Sequence, residues 1–421
     1  MAKRDVSQII NGKRVITKKP ELLAPAGNLE KLKVAVMYGA DAVFIGGQEF
    51  SLRSNAGNFT IADITEGVAF AKAYGASIYV TTNIFCHNEN MDGLEPYLQA
   101  LETAGVRGII VADPYIIETC QQVAPQLEVH LSTQQSLINY KAAQFWQEQG
   151  LERLVLAREA TKAEIAEIIE NVDVEIEVFV HGAMCIAYSG RCTLSNHMTA
   201  RDSNRGGCCQ SCRWEYDLVK TDETGDLMPL AHDDEAQFAM SPKDLNLIQS
   251  IPEMIELGVD SLKVEGRMKS IHYVATVVSV YRKVIDRYCA DPDNFTITAE
   301  FIAELEKCAN RETAPAFFAG IPSFNEQLFD HRDEHPTKEF IGVVQAYDPT
   351  TQIATIQQRN YFKPGDEIEF FGPKIENVTM TVEAIIDETG EAIDAARHPL
   401  QILQLKVPHH VNPNDMMRKV R

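Results

Sequence analysis

Several common catalytic signatures are missing from this sequence. It has no G-x-S-x-G elbow, no H-E-x-x-H helix, no G-x-x-x-x-G-K-[ST] loop and no G-x-G-x-x-G after a strand. Their absence removes the usual sequence routes to serine hydrolysis, zinc peptidase chemistry, and phosphate or dinucleotide binding. No apolar run approaches the roughly 18–20 residues that a membrane span needs. Residues 1–20 are polar and basic without an apolar centre, so they do not read as a secretory signal, and a cytoplasmic protein is expected. Positive charge is scarce: 39 Lys and Arg stand against 60 Asp and Glu, a net charge of -21. That balance argues against broad adhesion to nucleic acid or anionic lipid. Nine cysteines in 421 residues are ordinary for a reducing compartment and give no sign of a small disulfide-stapled scaffold.

What is present is a folded chain with ample core. Length and a hydrophobic fraction of 45% suit one large domain plus a smaller one. Through the first two thirds, short apolar runs alternate with amphipathic stretches. Strands are expected at 21–24, 42–45, 77–81, 108–112, 128–132, 153–157, 175–180 and 261–264, with an extra candidate at 238–240. Helices are expected at 28–38, 61–74, 94–104, 142–149, 162–169, 273–288 and 299–309. This β-α rhythm predicts an α/β fold, a TIM-like (β/α) barrel over residues 21–330, with a Cys-rich insert at 185–237. Residues 1–20 form a basic N-terminal arm, and Asn11-Gly12 reads as a hairpin turn. After Pro336, short alternating segments separated by turn residues predict a small β-barrel domain over 336–421.

The insert concentrates the chemistry. Cys185, Cys192, Cys208 and Cys212 follow C-x6-C-x15-C-x3-C, with Cys209 as a spare. The first comes just after a strand, where α/β proteins keep their reactive groups. Gathered thiolates bind zinc, hold an iron–sulfur cluster or form disulfides, and spacing leaves zinc and iron–sulfur both open. Around them lie Arg191, Arg201, Arg205 and Arg213, with Asp202 as the one acid, a local cationic patch on an acidic chain. The patch either focuses one anionic ligand or merely pairs with nearby carboxylates. The acidic run from His232 to Glu235 reads as a solvated loop, and Cys86, Cys120, Cys289 and Cys308 as ordinary core or helix residues.

The run Glu177-x-Phe179-x-x-Gly182-Ala183-Met184-Cys185-x4-Gly190-x-Cys192-x-Leu194-Ser195 resembles the signature of the collagenase-like peptidase family U32. Glu21 to Gly27, Gly39 to Phe44, Ser241 to Leu245 and Lys263 to Arg267 fit the same family, as does the C-terminal domain. The resemblance covers nearly the whole chain. It implies a relative of proteins that hydroxylate RNA without oxygen, and the domain layout is most similar to the branch that converts wobble uridine of tRNA to 5-hydroxyuridine. Implied with it are prephenate as oxygen donor and an iron–sulfur cluster, expected as 4Fe-4S, on Cys185, Cys192, Cys208 and Cys212, with Cys209 in competition with Cys208.

Other roles follow as expectations. Arg191, Arg201 and Arg205 are candidates for holding prephenate carboxylates or a tRNA phosphate, and Arg267 and Lys269 for a further anion. His181 is a candidate for orienting substrate or moving a proton. The basic arm (Lys3, Arg4, Lys13, Arg14, Lys18, Lys19) is a candidate tRNA surface. A homo-oligomer or a paralogous partner protein is compatible with the sequence. Two other readings stand beside this one: a collagenase-like peptidase, and an RNA-binding scaffold braced by zinc.

Overall fold

The computed structural model describes residues 4–51, 58–205, 208–214, 219–221, 224–225, 227–229, 241–309, 311–323, 326–328 and 337–420. Eight parallel strands close into a barrel. They are β1 (Glu21–Pro25), β2 (Ala42–Gly46), β3 (Ser77–Thr82), β4 (Gly108–Val111), β5 (Glu128–Leu131), β6 (Arg153–Val155), β7 (Glu175–Gly182) and β8 (Ser261–Val264). Each pairs with the next, and β8 pairs with both β1 and β7, which completes the ring. Helices α1 (Leu29–Met37), α2 (Ile61–Ala73), α3 (Leu94–Thr103), α4 (Pro114–Val123), α5 (Tyr140–Glu148) and α6 (Lys162–Asn171) follow the first six strands. The insert carries α7 (Leu194–Thr199), α8 (Ile251–Leu257) precedes β8, and α9 (Ile271–Ala290) and α10 (Ala299–Glu306) follow it.

Local chemistry starts these helices where strands end. Asn28, Thr60, Asp113, Asn139, Thr161 and Ser270 each accept a hydrogen bond from the first turn of the next helix. Such caps satisfy amide groups that a helix leaves unpaired. Helix α4 was not among the expected helices. Its signal was Asp113-Pro114, a cap followed by proline at the first helical position. The strand candidate at 238–240 and the acidic run from His232 to Glu235 lie outside the described residues.

The barrel floor is closed by the N-terminal arm. Residues Ser7–Ile10 and Lys13–Ile16 form a hairpin, and Asn11 and Gly12 adopt φ of 53° and 79°, the two positive angles a type I′ turn needs. Arg4 and Lys18 both bind Asp260, which precedes β8, and Arg4 also donates to the Val174 carbonyl (2.6 Å) ahead of β7. Arg14 and Lys19 pair with Glu256 and Asp286. Arg4, Arg14, Lys18 and Lys19 of the arm are therefore paired with acids on the face opposite the strand C-termini, away from the cavity described below. Lys13 is exposed, and Lys3 lies outside the described residues.

The C-terminal unit has its own core, with Ile341, Val344, Ile356, Phe362, Phe370, Leu403 and Met417 at its centre. Its eight antiparallel strands run β9 (Lys338–Asp348), β10 (Ile353–Gln358), β11 (Glu367–Gly372), β12 (Ile375–Thr381), β13 (Ile385–Ile386), β14 (Ala392–Ile393), β15 (Ile402–Lys406) and β16 (Met416–Val420). The sheet order is β12-β11-β16-β9-β10-β15-β13-β14, and its end strands are not paired to each other among the described residues. It is an antiparallel sheet curled about a core rather than a ring closed by hydrogen bonds. The unit docks on α1, α9 and α10. Phe371 and Met416 join the barrel's core cluster, and Tyr38 donates to the Asn414 carbonyl at 2.9 Å. Fully buried Arg418 lies 4.0 Å over the Phe371 ring, and Arg418 Nε donates to Glu369 at 2.6 Å. Among the described residues no helix is long and apolar enough to cross a membrane.

Candidate active site

Alternation along the barrel strands sets the interior. At the floor, Arg153 reaches Glu21 (2.6 Å), Glu175 (2.7 Å) and Glu177 (3.2 Å). One layer up, Lys263 meets Glu177 at 2.6 Å, both fully or almost fully buried, and its ammonium lies 4.6 Å from the Phe44 ring centre. Burial pushes the Glu177 carboxyl up, but Lys263 and Arg153 outweigh it and hold it below the usual carboxylate range. Paired charges in this position make the interior a polar plug, above which the mouth opens into a cavity of about 210 Å³.

The cavity wall comes from strand C-termini and from the Cys-rich insert. Phe44, Ile110 and Phe179 supply apolar lining, and Asn83, Ser132, Gln134 and Arg158 polar lining. Lys263, Glu265 and Arg267 come from β8 and the turn after it. Arg158 lies 3.9 Å over the Phe179 ring and donates to Glu265 at 3.3 Å. Three cations against one acid give this cavity a positive lining in a strongly acidic protein.

Two glycines let the insert lie here. Gly190 has φ of 75°, and a Cβ on it would stand 2.0 Å from the Gln134 carbonyl oxygen. A side chain at Gly182 (φ 109°) would meet the Glu265 carbonyl at 2.5 Å. Between them, the Ser189 amide donates to Glu159 (2.9 Å), and its hydroxyl accepts from the Arg158 amide (3.3 Å). Backbone approach this close admits only glycine.

Cys185, Cys192, Cys208 and Cys212 all line the cavity, whereas Cys209 does not. Cys209 sits among Ser195, Thr199 and Ser211; burial raises its thiol, but their hydrogen bonds outweigh that and bring it down to about 7. Burial, then the neighbouring Cys185, raises the Cys212 thiol, with Cys208 and Cys192 adding to it. Among the described residues no three His, Cys, Asp or Glu side chains are already arranged to hold a metal ion. The four thiols thus line one cavity, with the other three near enough to act on Cys212, without having closed into a ligand set. A donor set of four sulfurs fits thiolate ligation of an iron–sulfur cluster or of zinc.

The other candidates are placed differently. Arg267 lines the cavity and donates to Thr81 (3.0 Å) and Asn58 (3.1 Å). His181 does not line it. A register shift opposite Lys263 and Val264 adds a residue to β7, and such a bulge turns the next side chain to the other face. The His181 ring packs instead between Tyr273 and Tyr281, with Nδ1 3.2 Å from the Tyr281 hydroxyl. Burial drives its pKa down to about 4. It is therefore a buried neutral residue with no access to the cavity, a correction to the proton-moving role. Lys269 lies outside the cavity, 3.8 Å from Asp244. Arg191 and Arg201 are exposed on the insert, Arg191 donating to Ser136 at 3.2 Å, and neither lines the cavity. The Arg205 side chain lies outside what the structure describes. Asn83, Gln134, Arg158 and the Lys263-to-Arg267 run are polar strand ends that a barrel is expected to bring to one mouth, and Asn83, Gln134, Arg158, Lys263, Glu265 and Arg267 do line the cavity. The sequence assigns no individual role to Gln134, Arg158, Lys263 or Glu265.

Comparison with known proteins agrees with this architecture. The model of peptidase family U32 matches residues 27–328, and that of the family's C-terminal domain matches 336–418. The chain is 70% identical over 414 residues to tRNA hydroxylation protein P1 of Bacillus subtilis (strain 168), covering 98% of each. It is 32% identical over 437 residues to tRNA hydroxylation protein P of Escherichia coli (strain K12), covering 94% of this chain and 95% of that one. A 23S rRNA 5-hydroxycytidine synthase of the same organism is 38% identical over 266 residues, 63% of this chain and 39% of that protein. With both family models matched across nearly its whole length, the chain belongs to peptidase family U32.

Proposed function

We propose that this protein hydroxylates RNA, and specifically that it converts wobble uridine of tRNA to 5-hydroxyuridine without molecular oxygen. The observation that carries the reading is the placement of Cys185, Cys192, Cys208 and Cys212 on one wall of a positively lined barrel-mouth cavity, in a chain 70% identical to a tRNA hydroxylation protein. These four cysteines would hold an iron–sulfur cluster. When bound, the cluster supplies one-electron transfer at the mouth. Replacing C5–H by C5–OH removes two electrons from the base, so the oxygen donor takes up two. Prephenate, a small dicarboxylate, is the donor proposed.

The chain's own residues do the rest. Phe44, Ile110 and Phe179 give the cavity apolar surface, and Arg158, Lys263 and Arg267, the first two set against the phenylalanine rings, favour an anion. Tyr188, half exposed on the cavity rim, and exposed Trp214, two residues beyond Cys212 in the chain, supply aromatic faces of the kind on which an unstacked base rests. A peptidase reading finds little here. Among the described residues no histidine lines the cavity, and its one carboxylate, Glu265, is paired with Arg158.

The test is nucleoside analysis of tRNA from cells lacking this protein, complemented with wild type or Cys185→Ser. Restoration of 5-hydroxyuridine by wild type alone, together with iron and sulfide in anaerobically purified wild type and their loss in Cys185→Ser, is expected. Full restoration by Cys185→Ser, or colourless wild-type protein carrying zinc, would sink the redox reading.

A further inference from the structure

Two side chains in the cavity carry hydrogen-bond donors with nothing to bind. Gln134 is 7% exposed. Its carbonyl oxygen is occupied by Asn83 Nδ2 (2.6 Å) and the Ser132 hydroxyl (3.1 Å). Its Nε2 is buried and without a partner among the described residues. The Arg158 side chain is 9% exposed. Its Nη2 is committed to Glu265 and its plane rests on Phe179, yet its Nε is likewise buried and unpartnered among the described residues. Buried donors in folded proteins are satisfied by protein, water or ligand, and two orphan donors lining one cavity point to an acceptor bound there. Both groups can only donate, so the missing ligand must accept. Guanidinium favours a carboxylate or phosphate oxygen.

The surroundings narrow the choice. Both side chains are more than nine-tenths buried, which favours a small molecule over the phosphate of a polymer backbone. Phe44, Ile110 and Phe179 line the same cavity, so the molecule also has an apolar body. We propose that Arg158 Nε and Gln134 Nε2 form the seat of one carboxylate of a small ring-bearing organic acid. Asn83 and Ser132 position Gln134, and Glu265 and Phe179 position Arg158. Arg191, Arg201 and Arg205, outside this group, are not the seat. The identity of the acid as the oxygen donor rests on the function proposed above; the seat itself does not.

Calorimetric titration of the anaerobically purified protein tests this with prephenate, with 3-phenylpropionate, and with the neutral amide of the latter. The variants are Gln134→Glu, which is nearly isosteric and adds a repelling charge, and the charge-balanced pair Arg158→Gln with Glu265→Gln. Iron content, visible spectrum and unfolding midpoint are read on every sample, so that a misfolded variant is recognised and set aside in favour of the other. Both acids should bind wild type, the amide at least tenfold more weakly, and both variants should lose tenfold or more in affinity for the acids. Binding of 3-phenylpropionate through this pair without binding of prephenate would keep the seat and overturn the donor. Prephenate binding that is unchanged in both folded variants would keep the donor and overturn the seat, and failure of wild type to bind either acid would overturn both.

Discussion

Gly190 illustrates what single residues decide in this protein. With φ at 75° and the Gln134 carbonyl 2.0 Å from where a Cβ would sit, no side chain fits. Gly190→Ala should cost roughly 1–3 kcal/mol from the backbone strain, and the displaced loop should carry less iron per chain, read by metal analysis beside a denaturant curve. Full iron loading and an unchanged midpoint would show that the loop does not need this close approach. His181 has a different consequence. Its folded pKa of about 4 lies below the ordinary value of 6.5, so the unfolded chain takes up a proton first as pH falls. The stability it contributes is complete above about 6.5 and is lost between there and 4, by up to ~1.4 kcal/mol per pH unit. Urea midpoints at pH 7.5 and 5.0 should therefore differ less in His181→Phe than in wild type. At this scale the cysteine ligand candidates were legible from spacing, whereas Arg158 and Gln134 were legible only as polar strand ends of the barrel mouth. A strand-end arginine or glutamine is usually just a turn residue, and only neighbours distant in sequence reveal an unfilled donor.

At the scale of elements, caps and alternation made the strands and most helices readable. Helix α4 was missed although it carries a cap and proline signal and an apolar face with Ile116, Ile117 and Cys120 buried, and β16 follows a polar turn that hides it. The bulge in β7 was invisible because strand period cannot register one extra residue until the partner strand is known. The buried layer formed by β7 and β8 is also testable. Lys263→Met leaves the Glu177 carboxylate inside the barrel with Arg153 alone at 3.2 Å. The expected cost is about 3 kcal/mol, the low end for removing one partner of a buried pair because Arg153 remains. Adding Glu177→Gln should recover part of it; a double mutant cycle showing no coupling would mean the pair is not a unit.

For the whole molecule, charge is the organising fact. A net charge of -21 leaves few surfaces on which RNA can rest, and the N-terminal cations are already bound to Asp260, Glu256 and Asp286 on the barrel floor. The exposed Arg191 and Arg201 of the insert remain. Changing both to Glu should weaken tRNA binding uniformly across sequences. It should also lower the slope of log affinity against log salt by about 1 for each phosphate no longer neutralised. The same exchange at Arg14 and Lys19 should reduce stability and leave that slope alone. Reversal of the two results would move the RNA surface to the floor.

The barrel, the second unit and the cluster of thiols could all be read along the chain, because hydrophobic period, caps and cysteine spacing are local or directly countable. Which charges are spent and which stay available could not, and three-dimensional packing settled it. Packing turned His181 away from the cavity, bound the basic arm to the floor, set Cys208 rather than Cys209 on the wall and left donors of Arg158 and Gln134 facing a cavity. Each of these depends on the approach of residues far apart in the chain, and burial and charge are properties of that approach rather than of the residue type.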